Sequence, residues 1–205
     1  PLMAIGRINI PAIVVTGGVM KAGPNLLTLE QIGTYSAMEK RGEITEDELT
    51  YYKNNACPSA GSCSFMGTAA TMQIMAEALG LMLPGSAVMP ATCEDLENVA
   101  IEAGKQIVEL AKKNLKARDI VTAKSFENAI IIHAAISGST NSLLHIPAIA
   151  HEFGVDGGLG AALRPGQKRP ALGQRVVQMG APGKDFGFVG GKHAAFIPLH
   201  QRVQL

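Results

Sequence analysis

Helix-start signals recur along this 205-residue chain and limit the folds open to it. Threonine stands three residues before glutamine, glutamate or aspartate at Thr28, Thr45 and Thr92. That spacing is typical of a capping box, in which each side chain bonds the other residue's backbone N–H. Apolar residues recur at helical spacing from Gly67 to Leu79, and Gly80 then stands where helices commonly end. The pattern predicts that helices dominate the fold.

The remaining apolar runs decide whether a sheet accompanies these helices. The run from Ile8 to Val15 is β-branched and leads into two glycines, as a buried parallel strand entering a tight turn would, although Pro11 is unfavourable inside a strand. The run from Phe126 to Ile136 fits a buried helix or a partial strand. We therefore expect an α/β fold, a helix-rich layered domain with a short, mostly parallel sheet.

Two further helices complete the expected domain. A long amphipathic helix is predicted from Thr92 to Lys113, and its expected buried stripe consists of Val99, Ile107, Leu110 and Ala111. Another helix is predicted after Ser137-Gly138-Ser139-Thr140 as far as Phe153, with Pro147 expected to kink it or to start it.

Charge and glycine content divide the chain near Gly154. Residues 1–155 hold 15 acidic and 11 basic residues, whereas residues 156–205 hold 2 acidic and 7 basic residues and 10 of the 23 glycines. Such a composition leaves little apolar periodicity to bury. We expect a domain over residues 1–155, followed by a glycine-rich basic tail over residues 156–205 that is irregular and of uncertain order.

Composition narrows the class of protein. The chain is 47% hydrophobic and 17% charged, with a formal net charge of +1, so it is expected to be globular, without an overall electrostatic signal for nucleic acid or a membrane. No apolar run approaches the length of a membrane-spanning helix, and no signal peptide is recognised. The three cysteines fit a reducing compartment, so a cytoplasmic location is expected.

The stretch ACPSAGSCSFMGTAATM, residues 56–72, carries the strongest chemical signal. Ser62 and Ser64 are both good N-cap types, which places Cys63 at or just before a helix N-terminus, where a thiolate is stabilised. A thiolate binds iron or zinc and also attacks electrophiles. The spacing from Cys57 is neither that of a zinc site nor that of a ferredoxin. The residues alone leave open an inert buried cysteine, a metal ligand and a nucleophile.

Three segments, with the helix between them, resemble the family of dihydroxy-acid and sugar-acid dehydratases. They are GGVMKAG at residues 17–23, CPSAGSCSFMGTAATMQIMAEALGLMLPG at residues 57–85 and FENAIIIHAAISGSTNSLLHIPAIA at residues 126–150. The resemblance runs in order from about Pro1 to Val155. It implies the central part of the N-terminal domain of a soluble hydro-lyase, whose family includes an enzyme of branched-chain amino-acid synthesis.

The resemblance also implies the chemistry. Family members eliminate water from a small 2,3-dihydroxy carboxylate or a sugar acid to give a 2-keto acid, with an iron-sulfur cluster (2Fe-2S or 4Fe-4S) held by three cysteines and a nearby Mg²⁺. Cys63 takes the role of the third cluster ligand, and Cys57 that of a companion cysteine that is not a ligand. Ser139, Thr140 and Asn141 resemble a turn that could bind a substrate carboxylate or phosphate, the alternative being simple helix capping. A homodimer or homotetramer is implied for the complete protein.

The chain departs from the family pattern in several places. The other two cluster cysteines, the Mg²⁺ ligands and the catalytic serine of the family fall outside it, so we expect no catalytic residue in this chain and no activity from it alone. After Val155 we find no resemblance, and a frame-shifted reading is one hypothesis for that tail. An alternative from another class is an inactive remnant whose basic tail binds polyanions through Arg164, Lys168, Arg169 and Arg175.

Overall fold

The computed structural model describes residues 1–155. A short 3₁₀ turn at Pro24–Leu26 lies between the first two helices. The α-helices, numbered in chain order, are α1 Leu2–Ile8, α2 Gln31–Lys40, α3 Glu46–Asn55, α4 Thr68–Ala78, α5 Asp95–Lys112, α6 Ala117–Ile120, α7 Ala123–Ala135 and α8 Ser142–Glu152. The prediction that helices dominate is confirmed.

One apolar core holds most of these helices together. α4 packs against α7 and α8, α1 packs against α8 and α6, and α2 packs against α3. Met75 of α4, Leu79 directly after α4, Leu110 of α5 and Phe126 of α7 are fully buried. Phe126 meets Phe153 edge to face with ring centroids 6.2 Å apart. Burial of such side chains is the main favourable contribution to folding. α4 is therefore the central helix of the described part.

The expected sheet does not form among residues 1–155. Ile8 ends α1, and Asn9 then takes a left-handed conformation with φ 52°. The following segment is extended, but Ile10 and Val15 are exposed, and Val14 N–H donates to Leu81 O without a continuing ladder. The prediction of a strand here was wrong, because an apolar, β-branched run resembles a buried strand whether or not a neighbouring strand exists to pair with it.

Within the described part, β pairing is limited to two isolated bridges. Val19 pairs in parallel with Ser62 on one side and with Pro90 on the other. The parallel sense agrees with the expectation, but the two bridges meet at a single residue and do not extend into a sheet.

The predicted helix starts had different outcomes. Thr45 forms the full capping box with Glu48 at the start of α3, as predicted. Gln31 Oε1 accepts from Thr28 N–H at 2.8 Å, but α2 begins at Gln31 itself, so Thr28 is not its N-cap. α5 starts after Glu94 without a side-chain cap, so Thr92, which was predicted to open this helix, lies outside it.

The other predicted helices are present, with small corrections. Residues from Phe126 onward continue α7, which settles their conformation as helical, and Pro147 lies inside α8. Leu110 is buried in the expected stripe of α5, whereas Ala111 is exposed. None of the helices among residues 1–155 is long and apolar enough to cross a bilayer. The predicted tail, residues 156–205, lies outside the described residues.

Candidate functional site

The segment that carries Cys63 is held in place by backbone hydrogen bonds. We call residues 57–66 the Cys63 loop. Ser62 N–H donates to Gly18 O at 3.0 Å, and Ser62 O accepts from Met20 N–H at 2.7 Å. On the other side of the same rung, Val19 N–H donates to Met89 O and Val19 O accepts from Ala91 N–H, both at 2.8 Å. The residue before Cys63 is thus fixed by both of its backbone polar groups.

Two glycines make this close approach possible. Gly61 has a φ of +121° and Gly18 a φ of +81°, conformations that residues with a Cβ rarely adopt. A Cβ on Gly61 would stand 2.5 Å from Met20 N, and one on Gly18 would stand 2.6 Å from Ala91 N. The glycines around Cys63 therefore serve the packing of backbone against backbone, and the second residue of the Gly17-Gly18 pair has the same role.

Cys63 itself lies further from a helix than its sequence predicts. α4 begins at Thr68 with Gly67 as its N-cap, so the thiol is in the loop and not at the helix N-terminus. Cys63 Sγ donates to Glu30 Oε1 at 3.2 Å. Burial raises the pKa of the Cys63 thiol, a backbone hydrogen bond from Phe65 lowers it, and the Glu30 carboxylate raises it further. The prediction that Cys63 lies at or just before a helix N-terminus was wrong, because α4 has its N-cap four residues later, at Gly67.

The other two cysteines differ from each other in exposure. Cys57 is exposed, Cys93 is partly buried, and all three cysteines are free thiols. Cys93 Sγ lies 3.8 Å from Asp95 Oδ2, which is a weak contact for a thiol donor. Nothing in this arrangement pairs Cys57 with Cys63 as a disulfide.

The donor set can be tested against the iron-sulfur cluster that the resemblance implies. Cys63 fits one ligand position, because its thiol is partly exposed on a loop whose backbone is anchored. Residues 1–155 contain no group of three His, Cys, Asp or Glu side chains placed to hold a metal ion. Residues 1–155 therefore do not by themselves bring together the three ligands that such a cluster requires.

The Ser139-Thr140-Asn141 turn packs onto the start of α4. Ser139 N–H donates to Thr71 Oγ1 at 2.9 Å, and Asn141 Nδ2 donates to Thr68 Oγ1 at 2.5 Å. Asn141 is the N-cap of α8 but makes no side-chain capping bond. The capping alternative for Asn141 is therefore wrong, since its side chain crosses to α4 instead. Thr140 and Asn141 are exposed, and Ser139 is partly buried.

A histidine supports the turn from the opposite side. His133 Nε2 lies 3.1 Å from Ser139 O and 2.5 Å from Ser142 Oγ, while the Ser142 hydroxyl donates to Ser139 O. His133 is thus a partly buried histidine whose ring is hydrogen-bonded. His145, on α8, is exposed.

Sequence reasoning missed three polar residues of α4. Thr68 and Thr71 hold the turn, and Gln73 Nε2 donates to Ser62 Oγ at 3.2 Å on the side of the Cys63 loop. The spacing of three between the threonines places them on one helical face, a signal that was visible in the sequence. The contact of Gln73 had no such signal, because it depends on how the loop returns to the helix. α4 contacts both predicted site segments.

Comparisons with known proteins agree with the family resemblance of the sequence. A family model described as dihydroxy-acid/6-phosphogluconate dehydratase N-terminal matches residues 1–205. The chain is 51% identical over 162 residues to dihydroxy-acid dehydratase 1 of Methanosarcina acetivorans. That alignment covers 76% of this chain and 29% of the relative. It is 40% identical over 208 residues to dihydroxy-acid dehydratase of Caldicellulosiruptor saccharolyticus, and the alignment covers 98% of this chain and 37% of that relative. It is 43% identical over 178 residues to dihydroxy-acid dehydratase of Clostridium beijerinckii, and the alignment covers 83% of this chain and 31% of that relative.

These matches correct one expectation about the tail. The family model extends through residues 156–205, and the Caldicellulosiruptor relative aligns with 98% of the chain. The expectation that nothing after Val155 resembles the family was therefore wrong. The match speaks against the frame-shift hypothesis, whose other basis was the glycine-rich, basic composition of the tail. The domain boundary itself stays a prediction.

Length sets the scope of the comparison. The chain spans about a third of the length of the curated relatives that it matches. The family model nevertheless matches the whole of this chain. On these matches, the chain belongs to the dihydroxy-acid/6-phosphogluconate dehydratase family, whose N-terminal region it corresponds to.

Proposed function

We propose that this chain is part of a hydro-lyase that removes water from a 2,3-dihydroxy carboxylic acid to give a 2-keto acid. The observation that carries the proposal is the match to relatives named dihydroxy-acid dehydratase, at 51% identity in one case. Because those names describe proteins about three times as long, the activity is proposed for the complete protein. For the chain alone we expect no activity.

Cys63 is proposed to hold one iron of an iron-sulfur cluster. Its loop is anchored through Ser62, and its thiol releases a proton when it binds metal, since the thiolate is the ligand. When bound, the cluster supplies a Lewis acid that polarises the departing hydroxyl. The cluster type is left open, and the other two cysteines and the ligands of Mg²⁺ are proposed to lie outside this chain.

Ser139, Thr140 and Asn141 are proposed to bind the carboxylate of the substrate. Thr140 and Asn141 are exposed at the start of α8, and their hydroxyl and amide side chains are groups that donate hydrogen bonds to an anion. Thr68 and Thr71 hold the turn rigidly against α4, so its donors are oriented before a ligand arrives. Asn141→Ala is therefore expected to raise KM more than it lowers kcat in an active protein, because it removes binding shared by the ground and transition states.

The decisive experiment uses a hybrid protein. Residues 1–155 of this chain replace the aligned segment of the Methanosarcina acetivorans enzyme, and iron, sulfide, the visible spectrum and turnover are measured anaerobically. We expect the hybrid to bind a cluster and to dehydrate a branched 2,3-dihydroxy carboxylate in preference to 6-phosphogluconate. Cys63→Ala should abolish cluster binding and turnover, whereas the matched controls Cys57→Ala and Cys93→Ala should keep both. A folded hybrid without iron, or a Cys63→Ala hybrid with a normal cluster, would refute the proposal.

The remaining predictions concern assembly and location. A homodimer or homotetramer and a cytoplasmic location are proposed for the complete protein, supported by the family and by the sparse cysteines respectively. The polyanion-binding alternative rests on residues 164–175, which lie outside the described residues. The family match over the same region favours the dehydratase instead.

A further inference from the structure

Gln73 connects α4 to the Cys63 loop from a position that the family assignment does not explain. Its Nε2 donates to Ser62 Oγ at 3.2 Å, and both residues are partly buried. Ser62 directly precedes Cys63, and its backbone is already bonded to Gly18 and Met20. The side-chain bond from Gln73 adds a third attachment, which ties the loop to the central helix.

The other end of the same side chain is unusual. Gln73 Oε1 is buried and has no hydrogen-bond partner among residues 1–155. Buried side-chain amides are normally bonded at both ends, because an unpaired polar atom is costly inside a protein. A glutamine that served packing alone would be replaceable by an apolar side chain of the same length without this cost. The hydrogen bond from Gln73 Nε2 to Ser62 is the contact that requires an amide at this position.

The bond between Gln73 and Ser62 affects where the Cys63 thiol lies relative to α4. α4 holds the Ser139-Thr140-Asn141 turn through Thr68 and Thr71, and it holds the Cys63 loop through Gln73. One rigid helix therefore fixes the spacing between the candidate cluster ligand and the candidate substrate turn. Preorganisation of this kind is what metal and substrate sites require of their supporting residues.

We propose that Gln73 is a positioning residue for Cys63: its amide holds Ser62, and through Ser62 the Cys63 loop, against α4. The bond limits how far the thiol swings toward solvent. The importance of the contact for a metal centre rests on the proposed role of Cys63 as a cluster ligand, but the positioning of the thiol is testable without any metal.

The test follows the reactivity of Cys63 in the metal-free 205-residue chain. Iodoacetamide labelling at constant pH, resolved by peptide mass spectrometry, gives the rate at Cys63, with Cys57 as the internal reference. Gln73→Met keeps the length of the side chain and removes the amide, and Ser62→Ala removes the acceptor. Each is expected to speed labelling of Cys63 several-fold, and the double variant should be no faster than either single one.

Controls separate positioning from general loosening. Gln106→Met makes the same change on α5 and should leave the rate unchanged, and Ser62→Thr keeps the hydroxyl and should retain the slow rate. Urea unfolding of every variant should give midpoints close to that of the parent. Unchanged labelling in both single variants, additive effects in the double variant, or equal acceleration by Gln106→Met would overturn the proposal.

The hybrid protein provides the second readout. With Gln73→Met it should assemble a cluster whose visible absorption is lost several-fold faster to a chelator. An equal rate of loss, together with unchanged thiol reactivity, would count against Gln73. A parent hybrid that never binds iron, combined with faster labelling in Gln73→Met, would refute the proposed function and leave the positioning role intact.

Discussion

Gly17 and Gly18 are adjacent, yet the structure gives them opposite tolerance to a side chain. A Cβ on Gly18 would meet the backbone of Ala91 at 2.6 Å, in a conformation with φ +81°, whereas a Cβ on Gly17 would have no neighbour within 4 Å. A glycine pair in a sequence indicates a turn, and without the longer G-x-G-x-x-G pattern it is a weak signal for a phosphate loop. Here the second glycine allows Val19 to form bridges on both sides.

Gly18→Ala should therefore destabilise the chain by about 2 kcal/mol or more, from left-handed backbone strain together with overpacking. Gly17→Ala, the matched control, should change the free energy of unfolding by less than about 0.5 kcal/mol. Equilibrium unfolding in urea measures both. Similar losses of unfolding free energy in the two variants would show that the close contact of Gly18 with Ala91 is not what requires a glycine at this position.

Side-chain chemistry at the candidate site was only partly predictable. The residue types around Cys63 indicated a reactive thiol, but burial and Glu30 hold its pKa above the usual range. Neither effect is encoded within a few residues of Cys63, since Glu30 is 33 positions away. The same holds for Gln73 and Ser62, whose contact depends on the return of the Cys63 loop to α4.

At the scale of single elements, helices were predicted well and the sheet was not. A helix is closed by hydrogen bonds four residues apart, so periodicity and caps report on it directly. A strand requires a partner that is distant in the sequence, and the segment from Ile8 to Val15 lacks one among residues 1–155. The caps show the same limit, because Thr45 forms its box, whereas Thr92 stands too far ahead of the start of α5.

The Thr45 box at the start of α3 gives a quantitative prediction for an element. Thr45 Oγ1 accepts from Glu48 N–H at 3.2 Å, and Glu48 Oε2 accepts from Thr45 N–H at 2.7 Å. Thr45→Ala should lower the free energy of unfolding by about 1 kcal/mol. Thr50→Ala, an exposed change within the same helix, should have little effect or stabilise slightly. Urea unfolding at neutral pH compares them, and equal effects would mean that the box does not hold the start of α3.

The pH dependence of this cap follows from Glu48. The backbone and side chain of Thr45 hold the pKa of the Glu48 carboxyl below its ordinary value. A depressed pKa in the folded state stabilises the protein above the unfolded-state pKa, and that contribution is lost as the pH falls through the folded-state pKa. Thr45→Ala keeps the backbone N–H that bonds Glu48 and loses only the hydroxyl that donates to Glu48 Oε2 at 3.0 Å. The stability difference between the parent and Thr45→Ala should therefore shrink in acid by the share of that hydroxyl. A difference that grows as the pH falls would contradict this assignment.

At the scale of the whole described molecule, the first and last helices close on each other. α1 packs against α8, and Arg7 forms an ion pair with Glu152. Arg118 donates from Nε to Gly6 O at 3.0 Å and from Nη2 to Glu152 O at 3.1 Å. Sequence patterns do not indicate this closure, because Arg7 and Glu152 lie 145 positions apart. The turn at residues 139–141 leads into the same helix α8, so the closure also supports the candidate substrate site.

Gly6 is the point at which this closure is most sensitive. It is buried in α1, and a Cβ there would stand 2.7 Å from Phe153 Cδ2 and 3.1 Å from the backbone of Glu152. Gly6→Ala should destabilise the chain by about 1–3 kcal/mol, because Phe153 is held edge to face against Phe126 and has little room to move. Gly104→Ala is the matched control, since Gly104 lies inside α5 with no neighbour within 4 Å of its Cβ position. It should stabilise the chain by about 0.5–1 kcal/mol through helix propensity. Thermal and urea unfolding measure both, and stabilisation by Gly6→Ala would mean that α1 does not pack on α8 in solution.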